Sequence, residues 1–72
     1  MIVELNDMIV ENGFRHPSWR YGQNVFNSLY RMSEALGNRI RGDRELDPYH
    51  WELNDERFEA FWDWFLRETE ND

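Results

Sequence analysis

The chain has 72 residues, no cysteine, twelve aromatic residues (four Trp, three Tyr and five Phe) and a formal net charge of −7. The lack of cysteine excludes disulfides and thiolate metal sites, and no apolar run approaches the roughly 20 residues of a membrane-spanning helix. Residues 1–42 hold five arginines and four acids, a net charge of +1, whereas residues 43–72 hold three arginines and eleven acids, a net charge of −8. This acidic half disfavours a DNA-binding face there. It is compatible with a basic protein partner, or with solubility alone.

The first predicted element is a helix over residues 2–12. Its apolar residues recur at i, i+3 and i+7, which places them on one helical face. These residues are Ile2, Leu5 and Ile9. Asn12-Gly13 is predicted to end the helix, because glycine adopts the left-handed conformation of a helix C-terminus without steric cost. A short β-strand is the alternative for residues 1–12, because this segment also contains β-branched residues.

The second predicted element is a helix over residues 19–36, with Ser18 as its N-cap. Its apolar residues again follow helical spacing, and Gly37-Asn38 is predicted to end it. Gly22 lies early in this helix, where a glycine permits the close approach of another element. A loop follows over residues 42–53, in which Asp47-Pro48 is a turn signal.

The last predicted element is a helix over residues 54–68. Asn54 is the expected N-cap, and Leu53 and Phe58 are spaced for a hydrophobic staple. Four aromatic residues are predicted to form the core face of this helix, because they follow the i, i+3, i+4, i+7 pattern. They are Phe58, Phe61, Trp62 and Phe65. Trp64 lies about 120° from Phe58 around the helix, outside that face.

These elements predict one all-α domain over residues 1–72, with three to four helices, an aromatic core and a long ordered loop before the last helix. A cysteine-free chain of this size needs a dense core, because it buries only about 60% of the surface that its unfolded form exposes. Aromatic side chains supply such a core, since each buries about 150–250 Å².

The acidic side of the last helix is the first candidate site. Carboxylates three and four residues apart lie close together on a helix, and a tryptophan among them is a favoured interface residue. The predicted partner-binding residues are Glu56, Glu59, Asp63, Trp64 and Arg67. The expected partner is a protein with a basic surface, and a homodimer is the alternative. A solvated helix face without a partner, with Trp64 packed under the loop, is the simpler interpretation of the same pattern.

Five arginines between residues 15 and 41 form the second candidate site. Arginine binds phosphate well, and neighbouring aromatic residues can stack on bases, so a small nucleic-acid-associated protein is an alternative function. These arginines are Arg15, Arg20, Arg31, Arg39 and Arg41. Ion pairing with the acids of the C-terminal half is the favoured interpretation, because acids outnumber bases by fifteen to eight.

No catalytic, metal or cofactor motif is recognisable in the sequence. The spacing Asp43-x-Glu45-x-Asp47 opens like a calcium loop, but Pro48 and Asn54 stand where that loop needs glycine and glutamate. His16 and His50 lack partners at zinc-binding spacing. We therefore expect a non-enzymatic protein without a cofactor.

The second helix and the following loop carry a series of short motifs. They are Arg20-Tyr21-Gly22-Gln23, Phe26-Asn27-x-Leu29-Tyr30, Ile40-Arg41-Gly42 and Asp47-Pro48-Tyr49, followed by a terminal helix with Phe61 and Trp64. In this order, over about residues 20–66, the chain resembles a group of short, uncharacterised proteins encoded by bacteriophages.

This resemblance implies a phage protein that acts in the cytoplasm of a bacterial host, where it binds and inhibits a host protein. A homo-oligomeric virion or assembly component is a further alternative. The motif residues are predicted to be structural, with Gln23 and Asn27 holding the loop and Asp47 capping it or pairing with Arg20 or Arg41. The structural set is Arg20, Gly22, Gln23, Asn27, Asp47 and Pro48.

Overall fold

The computed structural model describes residues 2–70, and over this range the chain forms helices and no strand. The helices are α1 (Ile2–Arg15), α2 (Tyr21–Met32), α3 (Glu34–Ile40) and α4 (Arg57–Glu70). The predicted all-α fold is therefore confirmed, and the alternative of an N-terminal strand is wrong for residues 2–12.

The core combines mostly aliphatic residues from α1, α2 and α3 with aromatic residues from the loop and α4. Its members are Leu5, Ile9, Val25, Phe26, Leu29, Ile40, Trp51, Phe58, Phe61, Trp64 and Phe65. Phe58 lies at the centre of the aromatic part, with ring centroids 5.1 Å from Trp51 and 5.2 Å from Tyr21. Both contacts are edge-to-face, the arrangement that the aromatic quadrupole favours. This cluster joins α2, the loop and α4.

Helix α1 continues three residues beyond its predicted end at Asn12. The backbone N–H of His16 donates to the carbonyl of Asn12 at 2.8 Å, and Gly13 does not adopt a positive φ. The Asn12 side chain is buried rather than capping the helix. Asn12-Gly13 therefore lies inside the helix, and the C-terminal stop predicted there is wrong.

A buried polar network joins α1 to α2. The Asn12 amide donates to Ser28 Oγ at 2.9 Å, and that hydroxyl donates to Asn24 Oδ1 at 3.0 Å. The Asn24 amide in turn donates to the carbonyl of Ile9 at 2.8 Å. Over residues 2–70 no buried side-chain nitrogen or oxygen lacks a partner. The network fixes how the two helices pack, because any other pairing would leave buried amides unsatisfied.

We expect a Ser28→Ala substitution to lower the free energy of unfolding by about 1–3 kcal/mol. The substitution leaves a donor on Asn12 and an acceptor on Asn24 buried without partners. Urea unfolding followed by circular dichroism measures the loss. Ser18→Ala is the matched control, because the Ser18 side chain is exposed, and its stability should lie within about 0.5 kcal/mol of the parent protein. Equal stability of both variants would contradict the role of the network.

The predicted helix over residues 19–36 is divided at Ser33. Ser33 has extended backbone angles, its N–H donates to the carbonyl of Leu29, and its hydroxyl accepts from Leu36 N at 3.2 Å. Ser33 thus ends α2 and caps α3, so α3 continues through Gly37, where the predicted helix ended. Arg20, in an extended conformation, is the N-cap of α2. The prediction of Ser18 in that role is wrong.

Helix α4 begins at Arg57, three residues later than predicted, and ends at Glu70. Leu53 is 68% exposed and forms no staple with Phe58. The carboxylate of Asp55 accepts the N–H of Arg57 at 2.9 Å, so Asp55 takes the capping role predicted for Asn54. The ordered loop predicted for residues 42–53 therefore extends from Arg41 to Glu56.

Candidate interaction surface

Gly22 lets the loop approach the backbone of α2. Its N–H donates to the carbonyl of Trp51 at 3.0 Å. A Cβ atom at this position would lie 1.9 Å from the carbonyl oxygen of Pro48 and 2.5 Å from that of Trp51. Only glycine fits here, so Gly22 and Pro48 serve the packing of the loop against the helix.

Asp47 caps the backbone of the loop and pairs with no arginine among residues 2–70. One carboxylate oxygen accepts the N–H of Gly42 at 2.7 Å, and the other accepts the N–H of Tyr49 at 3.0 Å. Gly42 has a φ of +80°, the left-handed conformation that glycine adopts freely. Of the two roles predicted for Asp47, capping is therefore the one that the structure has, and the pairing with Arg20 or Arg41 is wrong.

Two side chains at the beginning of α2, from its N-cap and its first turn, contact the loop at Tyr49. Arg20 donates to the Tyr49 carbonyl at 3.4 Å and lies 3.7 Å from the Glu52 carboxylate. Gln23 donates to the Tyr49 hydroxyl at 3.2 Å. Asn27 was expected to share this task, but within the described residues no hydrogen bond joins its side chain to the loop. The part of the prediction that assigned Asn27 to the loop is therefore wrong.

We expect Gln23→Ala to lower the free energy of unfolding by about 0.5–1.5 kcal/mol, because it removes one half-buried hydrogen bond to the loop. Asn27→Ala is the matched control, with a similar volume change on the same helix and no such bond. Thermal unfolding of both proteins tests the prediction. A melting temperature that falls equally in the two variants would show that the bond to Tyr49 has no specific role.

Asp55 and Arg57 form a second attachment of the loop, which the sequence analysis missed. The Arg57 guanidinium lies 4.6 Å from the Trp51 ring centroid, donates to Asp55 at 2.7 Å and donates to the carbonyl of Arg44 at 3.3 Å. The hydrogen bonds that Asp55 accepts from the side chain and the backbone N–H of Arg57 lower the pKa of Asp55. Their contribution to stability is therefore present above the ordinary pH range of carboxyl titration and is lost as the pH falls. An Asp-x-Arg sequence directly before an aromatic helix was the available signal.

The loop borders a shallow cleft of about 270 Å³. The carboxylates of Asp43 and Asp47 line it, but each already accepts two backbone N–H groups. No group of three potential metal ligands from His, Asp and Glu occurs among residues 2–70. The carboxylates that line the cleft therefore stabilise the backbone of the loop itself.

The structure buries Trp64, which is 8% exposed and lies 5.9 Å from the Phe61 ring centroid. The expectation that Trp64 lies outside the core face is wrong, and Trp62, expected in the core, is only partly buried. The two tryptophans lie at about 80° on opposite sides of the midpoint between Phe61 and Phe65. Phe58 lies about 40° from Trp62 and about 120° from Trp64, so helical periodicity favours burial of Trp62. Tertiary packing therefore decides that Trp64 is buried instead.

The remaining candidate residues lie on the outer surface of α4 or directly before it. The acidic ridge, as it is called below, consists of Glu59 and Asp63 on α4 and of Glu56, and all three are exposed. Within residues 2–70 none of the three forms an ion pair with an arginine. Arg67 is also exposed, and Trp62 and Leu66 are half-buried along one side of the ridge. The outer surface of α4 thus combines free carboxylates with a partly accessible apolar border.

Most of the predicted arginine surface is engaged within the chain. Arg15 pairs with Glu11 at 2.7 Å, Arg20 contacts Glu52, and Arg39 pairs with Glu68. The Arg41 guanidinium lies 5.0 Å from the Tyr30 ring centroid. Arg20 and Arg39 therefore lie beside carboxylates of the C-terminal half, as the pairing interpretation expected, whereas Arg15 pairs within α1.

Comparisons of the chain with protein-family models, with curated proteins and with solved structures gave no match. No helix among the described residues is long and apolar enough to cross a membrane. Function is therefore inferred from the surface residues of this chain.

Proposed function

We propose that the chain is a small, non-enzymatic protein-binding module whose acidic ridge binds a basic surface of another protein. The observation that supports this proposal is the ridge itself: three exposed carboxylates, two on α4 and one directly before it, without arginine partners within residues 2–70. Carboxylates that are free within the chain are available to a partner, and such complementary charge increases association rate and specificity. The resemblance implies that the chain comes from a phage. On that basis, the proposed partner is a bacterial host protein, which the chain inhibits.

Trp62 takes the role at this surface that was expected of Trp64. Its ring packs on Phe61 at 5.0 Å and on Phe65 at 6.0 Å, so its position is fixed, while part of it stays accessible beside Asp63. A rigid aromatic residue at the edge of a charged surface is a typical interface contact. Contact with Trp62 adds apolar burial to the charge attraction of the ridge.

Affinity capture from bacterial lysate, followed by mass spectrometry, tests the proposal. The test variant is Asp63→Arg, and the matched control is Glu45→Arg, which changes the net charge equally at an exposed loop residue. Partner proteins captured by the parent and by the control, but lost with Asp63→Arg, would support binding at the ridge. Equal capture by both variants would contradict it. Salt-sensitive recovery of nucleic acid, without protein, would favour the arginine alternative.

A further inference from the structure

Helix α1 carries an apolar stripe on its outer surface that the fold leaves uncovered. Val3 is 66% exposed, Val10 is 60% exposed and Phe14 is 84% exposed. Their spacing of i, i+7 and i+11 confines them to a sector of about 40° around the helix. Single exposed apolar residues are common on proteins. Here three of them share one helical face, separate from the buried residues Leu5 and Ile9.

The stripe continues into a groove between α1 and the beginning of α2. The groove has a volume of about 320 Å³ and is lined by Ile9, Val10, Gly13, Phe14, Tyr21 and Asn24. This volume lies at the small end of the range of about 300–1,000 Å³ for ligand pockets. It suits one large apolar side chain. A stripe with an adjacent pocket is the form of a surface that receives an amphipathic helix.

Charge on α1 indicates the chemistry of the occupant. Glu4 and Asp7 are exposed beside the stripe, and neither forms an ion pair within residues 2–70. Glu11 follows on the same side and pairs with Arg15. The edge of the stripe is therefore acidic, which complements a helix that carries lysine or arginine beside its apolar residues.

A second copy of the chain fits this surface poorly. Antiparallel pairing of two α1 helices would bring the Asp7 carboxylates of both copies towards the middle of the contact, where like charges repel. The acidic edge thus favours a basic partner over self-association.

We infer that α1 is a docking surface for a basic amphipathic helix of another protein. The apolar residues of that helix cover Val3, Val10 and Phe14, with one side chain in the groove beside Tyr21. Its basic residues face Glu4 and Asp7. This surface is distinct from the acidic ridge on α4, and its test does not depend on the function proposed for that ridge.

The test uses a fluorescein-labelled, 18-residue helical peptide of leucine and lysine, with leucines on one face, and measures fluorescence anisotropy. Val10→Ser/Phe14→Ser should weaken binding at least tenfold, whereas Leu53→Ser, which changes an equally exposed apolar residue elsewhere, should change it less than twofold. Both stripe residues are exposed, so the double variant should keep the parent melting temperature. Unchanged affinity of the double variant would overturn the inference.

Three further measurements separate this surface from the other possible explanations. A leucine–glutamate peptide of the same pattern should bind at least tenfold more weakly, and equal binding would overturn the charge preference. Asp63→Arg should leave binding of the leucine–lysine peptide within twofold, and its loss would assign the peptide to the α4 ridge instead. Sedimentation equilibrium should show a monomer. A dimer that Val10→Ser/Phe14→Ser dissociates would make a second copy the occupant.

Discussion

Gly22→Ala is expected to lower the free energy of unfolding by about 3 kcal/mol or more. Its methyl group would overlap the carbonyl oxygens of Pro48 and Trp51, at 1.9 and 2.5 Å. Backbone atoms cannot move aside as the end of a flexible side chain can, so the loop must leave α2 or the helix must shift. The hydrogen bond from Gly22 to Trp51 is lost with it. Thermal unfolding should show a melting temperature about 10–25 °C lower.

Gly13→Ala is the matched control for this experiment. Gly13 also lies in a helix, but a Cβ atom there would meet only the Asn24 amide nitrogen, at an ordinary contact distance of 3.6 Å. Because alanine is the better helix former, this variant should gain about 0.5–1 kcal/mol. Opposite signs at the two glycines are the expected result. Destabilisation of similar size at both would show that the approach of the loop is not the cause.

Trp64→Ala is expected to cost about 3–5 kcal/mol, because it removes a large buried side chain and leaves a cavity beside Phe61. A domain of this size has about 4–10 kcal/mol of stability in total, so the variant should be close to unfolding at 37 °C. Loss of the near-ultraviolet circular dichroism signal and a low denaturant midpoint are the measurements.

Trp62→Ala is the matched control for this prediction. Trp62 is the same residue type, two positions away on the same helix and only partly buried, so its truncation should cost clearly less. Greater destabilisation by Trp62→Ala would reverse the assignment of the two tryptophans. In partner capture, the proposed function predicts that the Trp62→Ala variant, although folded, binds less partner protein than the parent.

The type of secondary structure followed from local pattern, because each helix has apolar residues at helical spacing. The boundaries did not follow. Asn12 and Gly13 resemble a helix stop, but Asn12 is recruited into the buried network with Ser28, 16 positions away. Leu53 and Asn54 resemble a helix start, but Asp55 forms the cap together with Arg57. One local capping signal thus yielded to a contact distant in sequence, and the other to a competing local cap.

Some features of the candidate sites were likewise predictable from the sequence, and others were not. The exposure of Glu59 and Asp63 was predictable, because charged residues opposite an apolar helical face remain in water. The burial of Trp64 was not, since periodicity with Phe58 favours Trp62 and tertiary packing overrides it. The stripe on α1 escaped notice because Val3, Val10 and Phe14 are apolar residues without a charge or a motif to single them out. Their exposure depends on which side of α1 meets α2.

The hydrogen bond from Gly22 to Trp51 makes the Gly22 amide a reporter of loop opening. Gly22 lies in the first turn of α2, where backbone N–H groups have no partner within their own helix. Its protection against hydrogen exchange therefore comes from a carbonyl 29 positions away in sequence. Opening of the loop alone would expose this amide while the interior amides of α2 stay protected. A single exchange rate thus separates local opening of the loop from global unfolding.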